Sequence, residues 1–96
     1  MTYAVPMKAS DYERLSEILK VLAHPVRLEI IHELLKKNPL NVSQLQHYLA
    51  LPQSTLSQHL CKLKRHKVVT SSRKGIEVFY RVEDEQAKQV MKILDL

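Results

Sequence analysis

Glycine and cysteine each occur once in this 96-residue chain, tryptophan is missing, and aromatic residues make up only 5%. A lone Gly75 provides no glycine-rich phosphate loop and excludes collagen-like, linker-like and glycine-rich β architectures. A lone Cys61 excludes an internal disulfide and suits a reducing, cytoplasmic compartment. Aromatic scarcity removes the stacking platform that single-stranded RNA needs. Long apolar runs are missing as well. The longest uncharged stretch, Asn38 to Cys61, is rich in Gln, Ser, Asn and His, so no transmembrane helix is expected. Met1 to Ser10 lacks the apolar core of a signal peptide. What remains is ordinary globular composition, 45% hydrophobic and 26% charged, enough for one domain over residues 1–96.

The most telling absence is of acid. No Asp or Glu lies between Leu34 and Ile76. Eight of the fifteen basic residues fall there: Lys36, Lys37, Lys62, Lys64, Arg65, Lys67, Arg73 and Lys74. Seven basic residues then face ten acidic ones in the rest of the chain, so the net +5 divides into a middle of +8 and flanks of −3. Such a middle suits a polyanion.

Hydrophobic spacing gives the elements. Leu15, Ile18, Leu19 and Leu22 repeat at i, i+3, i+4, i+7 and predict a helix over Ser10–Leu22, with Asp11 and Glu13 in its first turn. His24-Pro25 breaks it and starts a second helix to Lys37, with Leu28, Ile31, Leu34 and Leu35 inward, stopped by Asn38-Pro39. Asn41 and Gln44 form a capping-box pattern ahead of a short helix, Val42–Leu49, with Val42, Leu45 and Leu49 inward and Leu51-Pro52 as its break. A further helix over Gln53–His66 turns Leu56, Leu60 and Leu63 inward. The period then changes to two. Val68–Arg73 and Ile76–Val82, with Ile76, Val78, Tyr80 and Val82 alternating, predict a hairpin turning at Lys74-Gly75. Ala87, Val90, Met91 and Leu94 predict a last helix within Glu83–Leu96. The fold class is mainly α with a two-stranded hairpin, a winged helix-turn-helix of order α-α-α-α-β-β-α.

A helical wheel then locates the functional face. With Leu56, Leu60 and Leu63 buried, the opposite side of Gln53–His66 is centred on Ser54, Gln58, Cys61 and Arg65, flanked by Ser57 and Lys62. Hydroxyls and amides at the start of a helix suit base edges in the major groove, and cations at its end suit phosphates. Arg73 and Lys74 at the hairpin tip are placed to reach the minor groove or backbone, and His59 falls nearer the core.

Three segments carry a resemblance: Leu22-Ala23-His24-Pro25-Val26-Arg27-Leu28, Leu51 through Leu60 (LPQSTLSQHL), and Gly75-Ile76-Glu77-Val78-Phe79-Tyr80. Together they resemble the ArsR/SmtB family of bacterial winged helix-turn-helix repressors, and within it the PagR-type branch of bacilli. The resemblance spans roughly Leu15 to Leu94. It implies a homodimer paired through the first and last helices, double-stranded DNA as partner, and promoter occlusion at a palindromic operator, with autoregulation as one form. Carried over by position, it implicates Gln53, Ser54, Ser57 and Gln58 in the groove and Arg73 and Lys74 on the wing. The family's thiolate metal site would need Cys at Asn41 and Ser43, its second site a His on the last helix, and its redox branch a second Cys. None is present, so no metal ligand and no cofactor is assigned.

Other classes find less support. His24 and His32 are eight residues apart and His59 and His66 seven, roughly 10–12 Å along a helix, too far to share an ion within one protomer, which leaves a metal-responsive sensor only through ligands assembled across subunits. No nucleophile–base pair is visible, so no catalytic residue and no small-molecule substrate is assigned. A winged helix serving only protein contacts would carry acid on the recognition helix or lack a basic wing. Cys61, on the groove face beside Lys62, Lys64 and Arg65, is either an inert filler or a redox thiol. The apolar stripes at both ends predict a symmetric dimer through Leu15, Leu19, Leu22, Ala87, Val90, Met91 and Leu94.

Overall fold

The computed structural model describes residues 8–94. The signal-peptide expectation at the N-terminus and the last two residues of the expected final helix lie largely outside them. Eight elements follow in order: α1 (Ala9–Leu22), α2 (Pro25–Lys36), β1 (Leu40–Asn41), α3 (Val42–Leu49), α4 (Gln53–Arg65), β2 (Val69–Lys74), β3 (Glu77–Val82) and α5 (Glu85–Leu94). The expected helix-turn-helix and hairpin are present, and β1 is added. Its two residues pair with β3, Leu40 opposite Tyr80, giving a three-stranded antiparallel sheet of order β1-β3-β2. Two residues carry no readable period, which is why the sequence pattern passed over them.

Local chemistry explains the boundaries. The Asp11 carboxylate accepts from the Lys8 amide at 2.9 Å and opens α1. His24 adopts extended backbone, and its Nδ1 accepts from the Val26 amide at 3.1 Å, so the residue that ends α1 also caps α2. Asn41 and Gln44 exchange side-chain-to-amide bonds of 2.8 Å each, the reciprocal cap expected for α3. That helix stops at Ala50, left-handed at φ +54°, before Leu51-Pro52 is reached. At the end of α4, Lys67 is left-handed at φ +61°. Its amide bonds to the Lys64 carbonyl at 3.0 Å and that of Val68 to the Leu63 carbonyl at 2.9 Å, a Schellman closure with lysine in the usual glycine position.

One core joins all the helices to the sheet: Ile18, Val21 and Leu22 of α1, Ile30, Ile31 and Leu34 of α2, Leu45 of α3, Leu56, Leu60 and Leu63 of α4, then Val68, Val69, Val82, Ala87 and Met91. Three expectations are corrected. Leu19 and Leu35, placed on inward stripes, are exposed, and Val21 and Ile30 take the core positions. In α2 the buried stripe keeps four residues but is shifted by one position, onto Arg27, Ile30, Ile31 and Leu34. Ile76, expected as the inward start of a strand, is exposed instead. Lys74 pairs with Glu77, so Gly75 and Ile76 form the turn. The last helix lies within its expected span and begins at Glu85, where the Asp84 carboxylate caps it by accepting from the Ala87 amide at 2.9 Å.

Candidate nucleic-acid interface

Helix α4 divides as the wheel requires. Leu56, Leu60 and Leu63 are fully buried, whereas Gln53, Ser54, Ser57, Gln58, Cys61, Lys62 and Arg65 are all exposed. Burying three leucines against α2 and α3 fixes the rotation of the helix, and that rotation presents the polar face. Pro52 precedes α4 and no side chain caps its first turn. Its leading amides therefore stay available to an outside acceptor.

Charge reinforces the division. Among the described residues, Lys37 alone of the eight cations in the acid-free stretch is ion-paired, to Glu33 at 3.5 Å. Lys62 and Arg65 on α4 and Arg73 and Lys74 on the hairpin have no carboxylate partner there and are exposed. Lys74 Nζ lies 5.9 Å from the Phe79 ring centroid, the outer limit of a cation–π contact. Asn41, already capping α3, donates from Nδ2 to Glu77 Oε2 at 3.4 Å and ties the hairpin to the helix-turn-helix.

Two polar clusters hold α4 from behind; the sequence places His59 nearer the core, as found, but does not pair it with Arg27 and does not join the members of the second cluster. Arg27 is only 8% exposed. Its Nε donates to the Val21 carbonyl, and its Nη1 lies 3.3 Å from His59 Nδ1, which accepts. The His24 and His59 rings are 4.4 Å apart. Burial, followed by the proximity of His24, Arg27 and Lys62, holds the His59 pKa below the ordinary 6.5 and disfavours the charged ring. The missed signal was that Arg27 stands at i relative to Ile30, Ile31 and Leu34 at i+3, i+4 and i+7. At the other end of α4, His66 Nδ1 lies 2.8 Å from Glu17 Oε2. Arg14 bridges Glu17 at 3.3 Å and Asp84 at 3.0 Å and donates to the Lys67 carbonyl at 3.4 Å. The hydrogen bond from His66, then Arg14, lowers the Glu17 pKa below 4.5. No signal in the sequence joins residues so far apart.

The expected dimerisation residues separate. Leu22, Ala87 and Met91 are buried within the protomer, Leu15 and Val90 are half-buried, and Leu19 and Leu94 are exposed. Tyr12 at 60% and Ile93 at 82% exposure extend the apolar surface of α1 and α5, which pack on each other. Among the described residues no three His, Cys, Asp or Glu side chains gather to hold a metal ion, and no helix is long and apolar enough to cross a membrane.

Comparison with known proteins places the fold. A family model described as a helix-turn-helix domain matches residues 22–72. The transcriptional repressor PagR of Bacillus anthracis is 46% identical over 80 residues, covering 83% of this chain and 80% of that protein. The transcriptional activator HlyU of Vibrio cholerae is 36% identical over 93% of this chain and 85% of its own. The crystal structure of PagR superposes with a TM-score of 0.84 at 44% identity, over 91% of this chain and 99% of that one. The solved structure of V. cholerae HlyU gives 0.84 at 33% identity, over 91% of this chain and 94% of that one. These relatives are transcriptional regulators by name. The chain thus belongs to the ArsR/SmtB superfamily of winged helix-turn-helix transcriptional regulators and is PagR-like within it.

Proposed function

We propose that this protein is a cytoplasmic homodimer that binds a palindromic operator and represses by occluding the promoter. The observation that carries the reading is the exposed polar face of α4 continuing into a basic hairpin whose cations have no carboxylate partners among the described residues. In the bound state Gln53, Ser54, Ser57 and Gln58 meet base edges, while Lys62, Arg65, Arg73 and Lys74 meet phosphates. Two copies pair through Tyr12, Leu15 and Leu19 of α1 and Val90, Ile93 and Leu94 of α5, whose unpartnered apolar surface supports a two-fold contact. Repression is favoured because PagR is a repressor, although HlyU, an activator, shares the fold.

The test is to retain genomic fragments on purified protein, sequence them, and footprint the enriched site. A symmetric footprint over two half-sites about one helical turn apart is expected. A single unpaired half-site, or sedimentation as monomer at tens of micromolar, would overturn the dimer. A second reading, thiol-controlled release, is favoured by the exposure of Cys61 on the same face. It requires native Cys61 to alkylate rapidly with loss of DNA binding, and Cys61→Ser to bind but resist the reagent.

A further inference from the structure

The hairpin ends on a residue that neither packing nor turn chemistry explains. Ile76 is 94% exposed, the most exposed large apolar side chain among the described residues. It occupies the second central position of the β2–β3 turn, after Gly75 at φ +64°. Gly75 is needed there, since the first central position of such a turn requires positive φ. The second position is usually filled by Asn, Asp or Ser, which bond locally to the backbone. A β-branched side chain contributes nothing comparable, and it leaves apolar surface in water.

Two neighbours indicate what covers it. Arg73 and Lys74, immediately before the turn, are exposed and lack carboxylate partners among the described residues, so the tip suits a polyanion. Ile76 and Val78 also share a depression of about 230 Å³ with Asn41, Ser43, Gln53 and Glu77, whose carboxylate accepts from Asn41. Gln53 opens the recognition helix, so the tip is continuous with the face proposed to enter the major groove.

We propose that Ile76 is a specificity-determining contact, an apolar side chain set into the DNA minor groove that selects A·T pairs beneath the wing. The assignment rests on the DNA-binding reading above. On the minor-groove floor A·T and T·A pairs show only acceptors, whereas G·C adds the guanine N2 amino donor. Isoleucine offers that donor no acceptor, so a guanine under the tip loses its water and gains no partner. Over A·T pairs the narrower groove gives the side chain two sugar walls to touch. Its stronger negative potential also attracts Arg73 and Lys74. Specificity of this kind distinguishes A·T from G·C without resolving A·T from T·A.

The experiment begins with selection from a random duplex pool by the full chain and by Ile76→Ser. The selected site is then rebuilt with A·T, G·C or inosine·C pairs under the wing. Inosine keeps the major-groove face of guanine and lacks only the N2 amino group. The wild-type chain is expected to bind A·T and inosine·C flanks alike and G·C flanks about tenfold more weakly. Ile76→Ser should shrink that gap below about threefold, and Ile76→Val should keep most of it. The assignment is overturned if the wild-type chain ignores G·C flanks, if inosine brings no relief, or if Ile76→Ser keeps the full penalty. A selected core with indifferent flanks rejects Ile76 alone. A pool from which nothing is selected rejects the DNA-binding reading itself.

Discussion

The two ends of this molecule treat their charges in opposite ways. Where α1, α5 and the end of α4 meet, cations are matched: Arg14 with Glu17 and Asp84, His66 with Glu17. Across α4 and the hairpin, Lys62, Arg65, Arg73 and Lys74 stand without carboxylates among the described residues. Exposed ion pairs add little stability, so omitting them costs the fold little. It leaves the cations to an outside polyanion. The matched end does structural work instead, fastening α1 and α5 to the base of the recognition helix. The separation of the two kinds of charge is sharpest at the hairpin, since Lys62 and Arg65 also border depressions that hold Glu17, yet neither is drawn into a pair there.

Salt should divide the two ends most sharply. If a dimer neutralises six to eight phosphates, the slope of log K on log salt is about −5 to −7, and affinity falls roughly a thousandfold or more between 50 and 200 mM. Dimerisation through an apolar surface should hardly change over that range. Filter binding and sedimentation on the same samples check both, and a slope shallower than about −2 would remove α4 and the hairpin as the binding surface.

Next in size is Leu19→Glu on the pairing surface. Symmetry places the carboxylate twice in one apolar contact, so the dimer should weaken at least about tenfold, with no loss of helix content by circular dichroism. An unchanged sedimentation coefficient at low micromolar concentration would move the interface elsewhere.

Within the DNA-binding end, base and phosphate contacts should part. Gln58→Ala is expected to cost about 1–3 kcal/mol on operator DNA and little on random DNA. Lys74→Ala should weaken both alike and reduce the salt slope by about one. Equal losses for Gln58→Ala on both duplexes would mean that the helix enters the groove in another rotation.

Smaller again is an effect on stability alone. Ala50 and Lys67 hold left-handed backbone without being glycine. Ala50→Gly and Lys67→Gly should each raise unfolding free energy by up to about 1 kcal/mol, read from urea denaturation. Loss of stability at either position would show that side-chain contacts outweigh the backbone strain.

These two residues also show where the sequence was silent. Helix stops are read from glycine, and with one glycine in the chain both left-handed closures passed unmarked. Pro25, Asn41 and Gln44 were readable because their chemistry acts within four residues. The face of α4 was readable because three leucines fix its rotation. Arg14, Glu17, His66 and Asp84 were not, since their partners lie up to 70 residues away in the chain. Ile76 was misread because alternation continued one residue past the strand, and only the Lys74–Glu77 pairing shows where the turn sits.

The smallest expected effect concerns pH, and it separates the two clusters that hold α4. Burial, then His24, Arg27 and Lys62, holds the folded pKa of His59 below 6.5. Above 6.5 the folded and unfolded chains both carry the neutral ring, and its contribution to stability is fully present. As pH falls below 6.5 the unfolded chain takes up a proton that the folded chain refuses, and stability is lost until the folded pKa is passed. Glu17 has the same sign in a lower window: its folded pKa is depressed, and its contribution is lost only as pH falls below 4.5. Between pH 7.5 and 5.5 the clamp behind the recognition helix should therefore weaken while the Glu17 contribution holds. His59→Gln retains an oxygen to accept from Arg27 and does not titrate. The difference in melting temperature between the wild-type chain and His59→Gln cancels the groups that do not touch His59, and it should move against the wild-type chain across that interval. A difference that stays flat would mean that His59 is as free to protonate in the fold as in the open chain, and that the Arg27 contact does not hold it neutral.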